Sequence, residues 1–123
     1  MKYSIKKQID LKSIVVEASG IINTDLAENM VMDAGRALRA SGYKKCFFDL
    51  VETEVDPKQT LTEMFIFINV FKKAGIDRST RIAALYVSGW THRSQLEEGA
   101  KFEDFKLRHF TDRNEGLKWL NLQ

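Results

Sequence analysis

Asp56-Pro57-Lys58-Gln59-Thr60-Leu61-Thr62-Glu63-Met64-Phe65-Ile66-Phe67-Ile68-Asn69-Val70-Phe71 is the stretch on which the fold turns. Taken alone, Met64 to Phe71 passes for a buried strand. Its flanks decide otherwise. Asp56 is an N-cap, Pro57 stands at the first helical position and Gln59 at the third, the pattern of a helix start. Lys72-Lys73-Ala74-Gly75 is a matching stop. The spacing therefore predicts a helix over about 57–74. On it, Leu61, Met64, Phe65, Ile68 and Phe71 form the core-facing stripe, with Phe67 at the edge. Ile66 and Val70 fall one turn apart on the far side, where polar residues are expected. Such a surplus needs a cover, which makes Ile66, Phe67, Val70 and Phe71 a candidate surface for a partner or ligand.

Working outward, strands and helices alternate with short connections and no internal repeat. Tyr3–Ile9 and Ser13–Ala18 read as strands of an antiparallel hairpin turning at Asp10-Leu11-Lys12, with Gly20 closing the second. Asp25 is expected to cap a helix running to Ser41, with Gly42 as its stop. Leu26, Met30, Ala34, Ala37 and Leu38 make its expected inner face. Lys45–Val51 has the continuous apolar character of a strand buried on both faces, followed by a loop Glu52-Thr53-Glu54-Val55. Arg81–Val87 reads the same way. Thr91–Lys101 is a short surface helix anchored by Leu96 and Ala100, and Lys106–Phe110 a marginal strand. Asp112-Arg113-Asn114-Glu115 opens a final helix through Leu117 and Leu120. The order β-β-α-β-α-β-α-β-α predicts an α/β fold: a mixed, mostly parallel sheet of about five strands, begun by a hairpin and continued by right-handed βαβ units, with about four helices.

At 123 residues the chain has the size of one domain, 1–123, with room for a real core. Its apolar fraction of 44% and charged fraction of 29% are those of a globular protein. Nineteen basic against 17 acidic side chains leave a formal charge of +2, too small a field to recruit nucleic acid. Cys46 is the only cysteine, which excludes an intrachain disulfide and a cysteine-based metal site, and its strand context makes it an inert core thiol. The N-terminal Met1-Lys2-Tyr3-Ser4-Ile5-Lys6-Lys7 has no apolar h-region, and no apolar run approaches the ~20 residues of a membrane span. A reducing cytoplasm is the expected location, with peripheral membrane contact left open.

Chemistry-bearing clusters are sparse. Asp49, Glu52, Glu54 and Asp56 follow the carboxyl end of a central strand, where open α/β sheets bind ligands. No spacing there matches a calcium loop. Trp90, His92 and Arg93 follow the next strand and should border the same crevice, so Asp49, Glu52, Asp56, Trp90, His92 and Arg93 are the candidate crevice residues. His92 and His109 have no third ligand at a recognisable interval. Ser88-Gly89 is not part of a nucleophile elbow, and neither Gly20 nor Gly42 belongs to a phosphate-cradling loop. No catalytic, cofactor or metal-binding set is assigned.

Val15-Val16-Glu17-Ala18-Ser19-Gly20-Ile21-Ile22, Phe47-Phe48-Asp49-Leu50, Arg81-Ile82-Ala83-Ala84-Leu85 and Phe110-Thr111-Asp112-Arg113-Asn114-Glu115-Gly116-Leu117-Lys118-Trp119-Leu120 together resemble the SpoIIAA-like family, small bacterial proteins with the STAS fold of anti-sigma-factor antagonists, also compared with CRAL-TRIO lipid carriers. The resemblance covers nearly the whole chain. It implies a non-enzymatic binding or regulatory domain, with ligand or membrane association suspected in the family. Those antagonists carry a phosphorylatable Ser in an Asp-Ser-Ser-Gly type turn after the third strand. Asp49-Leu50-Val51-Glu52-Thr53-Glu54 lacks the Ser and the Gly, and a phosphate on Thr53 would face Glu52, Glu54 and Asp56. The phosphorylation switch is therefore not carried over.

The expected function is a cytoplasmic, non-enzymatic domain acting through protein association, including a homodimer, by way of the apolar helix at 57–74. The alternatives are a carrier or sensor of a small apolar or lipid-like ligand with peripheral membrane association, with Lys72 and Lys73 meeting anionic head groups, and an enzyme using the acidic loop 49–56.

Overall fold

A computed structural model of the chain describes residues 2–55, 68–86 and 93–121. The element order is β1 (Lys2–Gln8), β2 (Ser13–Ile22), α1 (Thr24–Ser41), β3 (Lys45–Val55), α2 (68–73), β4 (Arg81–Leu85), α3 (Arg93–Phe102), β5 (Lys106–Phe110) and α4 (Arg113–Leu120). The strands form one five-stranded sheet in the order β1-β2-β3-β4-β5. β1 and β2 are antiparallel and every other pair is parallel. This is the expected mixed α/β fold with four helices, and the helical state of 68–73 agrees with the reading of the apolar run as helix.

Topology dictates how the helices are shared between the two faces. Each parallel connection from β2 to β5 steps one strand in the same direction. With crossovers of one hand, all connecting helices must land on the same side. The core shows that outcome. Ile14, Val16, Ala18, Cys46, Phe48, Leu50, Ile82, Ala84 and Tyr86 point to one face and pack with Met30, Val31, Ala34 and Leu38 of α1, Ile68, Val70 and Phe71 of α2, and Ala100 of α3. Val15, Phe47, Ala83 and Leu85 point to the other face, where α4 supplies Leu117, Trp119 and Leu120. α4 packs over β3, β4 and β5. Among the described residues no helix covers the β1–β2 half of that second face.

Several expected details shift, each for a local reason. α1 is capped by Asn23, not Asp25: Asn23 is extended, and its side-chain oxygen accepts the Leu26 N–H at 2.9 Å. Asp25 then sits in the first turn, where a carboxylate favours the helix dipole. The inner face is rotated accordingly, to Ala27, Met30, Val31, Ala34, Gly35 and Leu38, leaving Leu26 and Ala37 half-buried. Gly42 ends the helix as expected, left-handed at φ 74° with its N–H donating to the Leu38 carbonyl. β2 extends to Ile22 and β3 to Val55, because Ser19–Ile22 pair with Glu52–Val55. β4 is shorter than expected, ending at Leu85. Asp112 caps α4, accepting from the N–H groups of Asn114 and Glu115.

The largest correction concerns the apolar helix. Val70, expected on its outward flank, is 2% exposed and lies inside the core beside Phe71, which is buried too. Phe71 meets the Phe105 ring at a centroid distance of 5.6 Å. The helix is thus packed by more than the sheet: Phe105 follows α3, and Gly35 of α1 lies against Ala74, one turn beyond Val70. Ile66 and Phe67 lie outside the described residues, as does the Asp56-Pro57 start. Lys72 is paired with Glu103 at 2.6 Å, so it is not free for a head group.

Candidate functional site: an open ledge at the ends of β2 and β3

Strand alternation builds the site. On β2, Val15, Glu17, Ser19 and Ile21 alternate with the buried set and so face the second side of the sheet. Register extends this into rows. Lys2, Ser19 and Glu52 are aligned across β1, β2 and β3, and Ser4, Glu17 and Asp49 form the next row. These six residues line a shallow depression of ≈ 330 Å³ on the uncovered half of the face. Its lining side chains carry both signs of charge.

A bulge shapes the upper end. Between the Glu17–Asp49 and Ser19–Glu52 pairs, β3 holds one residue more than β2. The extra length re-aims the strand, as bulges do. The carbonyl freed at Leu50 accepts the Thr53 hydroxyl at 2.5 Å, and the Val51 N–H donates to the Asp49 carboxylate at 3.3 Å. The Thr53 hydroxyl is thus part-buried and engaged locally. Asp49 also forms an ion pair with Arg113 at the start of α4, which ties the ledge to the helix covering the rest of the face. The Arg113 guanidinium lies 5.5 Å from the centre of the Phe47 ring, where the attraction of cation for ring adds to the contact.

Two exposed apolar side chains lie near the depression. Ile21 is 57% exposed and Val51 37% exposed, on adjacent strands at the same end of the sheet. Glu52 and Glu54 flank them and are exposed, and among the described residues neither forms an ion pair. The strand ends thus present exposed apolar and acidic side chains around a backbone bulge. No three metal-ligating side chains cluster among the described residues.

Of the expected crevice, Asp49 and Glu52 come together here. Asp56, Trp90 and His92 lie outside the described residues, and Arg93 begins α3. Sequence reading missed Ile21, Val51 and the Asp49–Arg113 pair. Ile21 was legible in principle, since in Ile21-Ile22 only one side chain of an alternating strand can face the core. The ion pair joins residues 64 positions apart and has no local signal. No helix among the described residues is long and apolar enough to cross a membrane.

Comparison with known proteins places this architecture. No protein-family model and no curated protein sequence matches the chain. Solved structures do. An anti-sigma factor antagonist from Mycobacterium paratuberculosis is 14% identical, with a TM-score of 0.59 over 97% of this chain and 92% of that one. An uncharacterised protein from Shewanella loihica with a SpoIIAA-like fold is 19% identical, with a TM-score of 0.59 and the same coverage. The phosphorylated form of the Bacillus cell-fate determinant SpoIIAA is 5% identical, with a TM-score of 0.51 over 96% of this chain and 98% of that one. The chain has the SpoIIAA-like, STAS-type fold.

Proposed function

We propose that this chain is a single non-enzymatic regulatory domain that works in the cytoplasm by binding another protein. The observation that carries the reading is the exposure of Ile21, Val51, Glu52 and Glu54 at the ends of β2 and β3, beside the half of the sheet no described helix covers. Burying a large aliphatic side chain contributes about 1.5–3 kcal/mol, so two of them supply a useful start to an encounter. Glu52 and Glu54, without an ion pair among the described residues, add selectivity for a basic partner more than affinity. The structural neighbours that are anti-sigma factor antagonists support the regulatory class by analogy of fold.

Association through the outward flank of the helix at 57–74 draws no support from Val70 or Phe71, which are core residues. A carrier of an apolar ligand draws none from the depression, because such a ligand would strip water from Lys2, Glu17 and Glu52 without replacing their hydrogen bonds.

A photoreactive side chain placed at position 51 tests the reading in cells that make the protein. A single protein adduct is expected, competed away by excess wild-type chain and not by an Ile21→Glu, Val51→Glu double variant. Labelling that neither saturates nor responds to the competitor overturns it.

A further inference from the structure

Among the described residues, the large apolar side chain most open to water is Ile9, at 70%, and Leu11, two positions on, is 41% exposed. Both sit in the turn that joins β1 to β2. Gln8 and Ser13 are the last paired residues, and the Lys12 N–H donates to the Ile9 carbonyl at 3.2 Å, closing Ile9–Lys12 into a tight turn. Consecutive Cα atoms are about 3.8 Å apart, so Ile9 and Leu11 stand within about 8 Å of each other at the tip. Neither belongs to a core cluster. A solvated turn is ordinarily polar. Two aliphatic side chains at its tip gain from meeting something apolar.

The tip stands at the basic end of the sheet. Lys7 and Lys12 are exposed beside it, and the Lys45 ammonium lies 3.5 Å from the Leu11 carbonyl. Lys7 lies over the Tyr43 ring, 5.5 Å from its centre. Register continues the charge outward, since Lys45, Arg81 and Lys106 form one row across β3, β4 and β5. Among the described residues Lys7, Lys12, Lys45 and Lys106 form no ion pair with a carboxylate. Of the acids at this end, Asp77 is matched by Lys44 and Glu103 by Lys72. Asp10 in the turn and Asp104 ahead of β5 remain. Glu52 and Glu54 lie at the other end of β3. A rise of about 3.3 Å per residue puts Glu52 roughly 23 Å from Lys45, well beyond a Debye length of about 8 Å, so their charge is screened from a surface meeting the tip.

We propose that the β1–β2 turn docks this chain on an anionic bilayer surface, with Ile9 and Leu11 entering the headgroup layer and Lys7, Lys12 and the Lys45–Arg81–Lys106 row facing the acidic headgroups. A protein partner needs roughly 1,000 Å² of matched surface, more than one turn offers. A bilayer interface is fluid: it takes both side chains whichever way each points, to a depth of about 5–10 Å. Asp10 sets a limit. Its carboxylate is repelled by the acidic surface and resists dehydration, so docking is shallow and reversible. Glu52 and Glu54 then point away from the membrane, which leaves the other end of the sheet open to a protein. The proposal goes beyond regulatory protein binding, since it names a second partner on a different surface.

Co-flotation of the full chain with phosphatidylcholine vesicles, with and without roughly 30% phosphatidylserine, tests it. The chain should float with the acidic vesicles alone and be released by salt. A lysine near such a surface contributes about fivefold to partitioning, so Lys7→Gln with Lys12→Gln should bind about 25-fold more weakly. Ile9→Ser with Leu11→Ser should lose about tenfold. Asp10→Asn should bind about fivefold more tightly, from removal of one like charge. All five positions are exposed, and a thermal melt checks that the variants fold. A wild-type chain that floats with neither vesicle, or equally with both, overturns the proposal. So does either double variant that binds as the wild type does, or an Asp10→Asn chain that binds no tighter. Each of these results leaves a protein cross-link at position 51 untouched, so the two readings fail separately.

Discussion

Gly35 of α1 lies so close to Ala74 that a methyl group on it would sit 2.7 Å from the Ala74 carbonyl oxygen and 2.8 Å from its Cβ. Glycine here is a packing requirement, since its backbone is ordinary helix. The approach lets α1 and the end of α2 share one face of the sheet.

Gly35→Ala should therefore destabilise the fold. Alanine favours a helix over glycine by about 1 kcal/mol, but overpacking against rigid backbone costs about 1–3 kcal/mol. A net loss of about 1 kcal/mol or more is expected. It should appear as a lower urea midpoint with an unchanged slope. A stabilised variant would show that the two helices separate easily.

The Asp49–Arg113 pair joins the β3 bulge to α4, and the Asp49 side chain is only 17% exposed. A double-mutant cycle with Asp49→Asn and Arg113→Ala should give a coupling of about 0.5–1 kcal/mol that shrinks in high salt. Zero coupling at low salt would mean that this pair does not help to hold α4.

Asp77 accepts hydrogen bonds from the Ser79 N–H at 2.7 Å and the Ser79 hydroxyl at 2.6 Å, and pairs with Lys44 at 3.3 Å. These donors, Ser79 foremost, lower its carboxyl from 3.8 to about 2. A depressed folded value means the stabilisation is complete above the unfolded value and is lost as pH falls through the folded one. The window therefore runs from just above pH 4 to about pH 2. Asp77→Asn should show a flatter loss of stability across that window, read from urea midpoints at each pH. Equal slopes in variant and wild type would remove Asp77 as a contributor.

Cys46 is fully buried in the core, and burial pushes its thiol above the ordinary cysteine range. A thiol reagent should leave the native protein unlabelled and react at once in denaturant. Native labelling at a rate independent of denaturant would mean that the β2–β3–β4 centre opens locally.

Much of the architecture was readable from local pattern. Asp112 capping α4, Gly42 ending α1, and the double-sided apolar runs at Cys46–Phe48 and Ile82–Leu85 are signals that act over a few residues, and each holds in the structure. The reading of Val70 failed for a different reason. A helical wheel counts neighbours on one side only, whereas this helix also meets the turn carrying Phe105 and, at Ala74, Gly35 of α1.

Periodicity and capping by themselves determined that this chain forms a hairpin and then parallel βαβ units, because the forces involved are short in sequence: alternation, helical spacing and the satisfaction of terminal N–H groups. Which surface stays open was decided only in three dimensions. Among the described residues, crossovers that all step one way place three helices on one face and leave α4 to cover the other. Neither result is a property of any local segment; both arise from how the elements are ordered in the sheet.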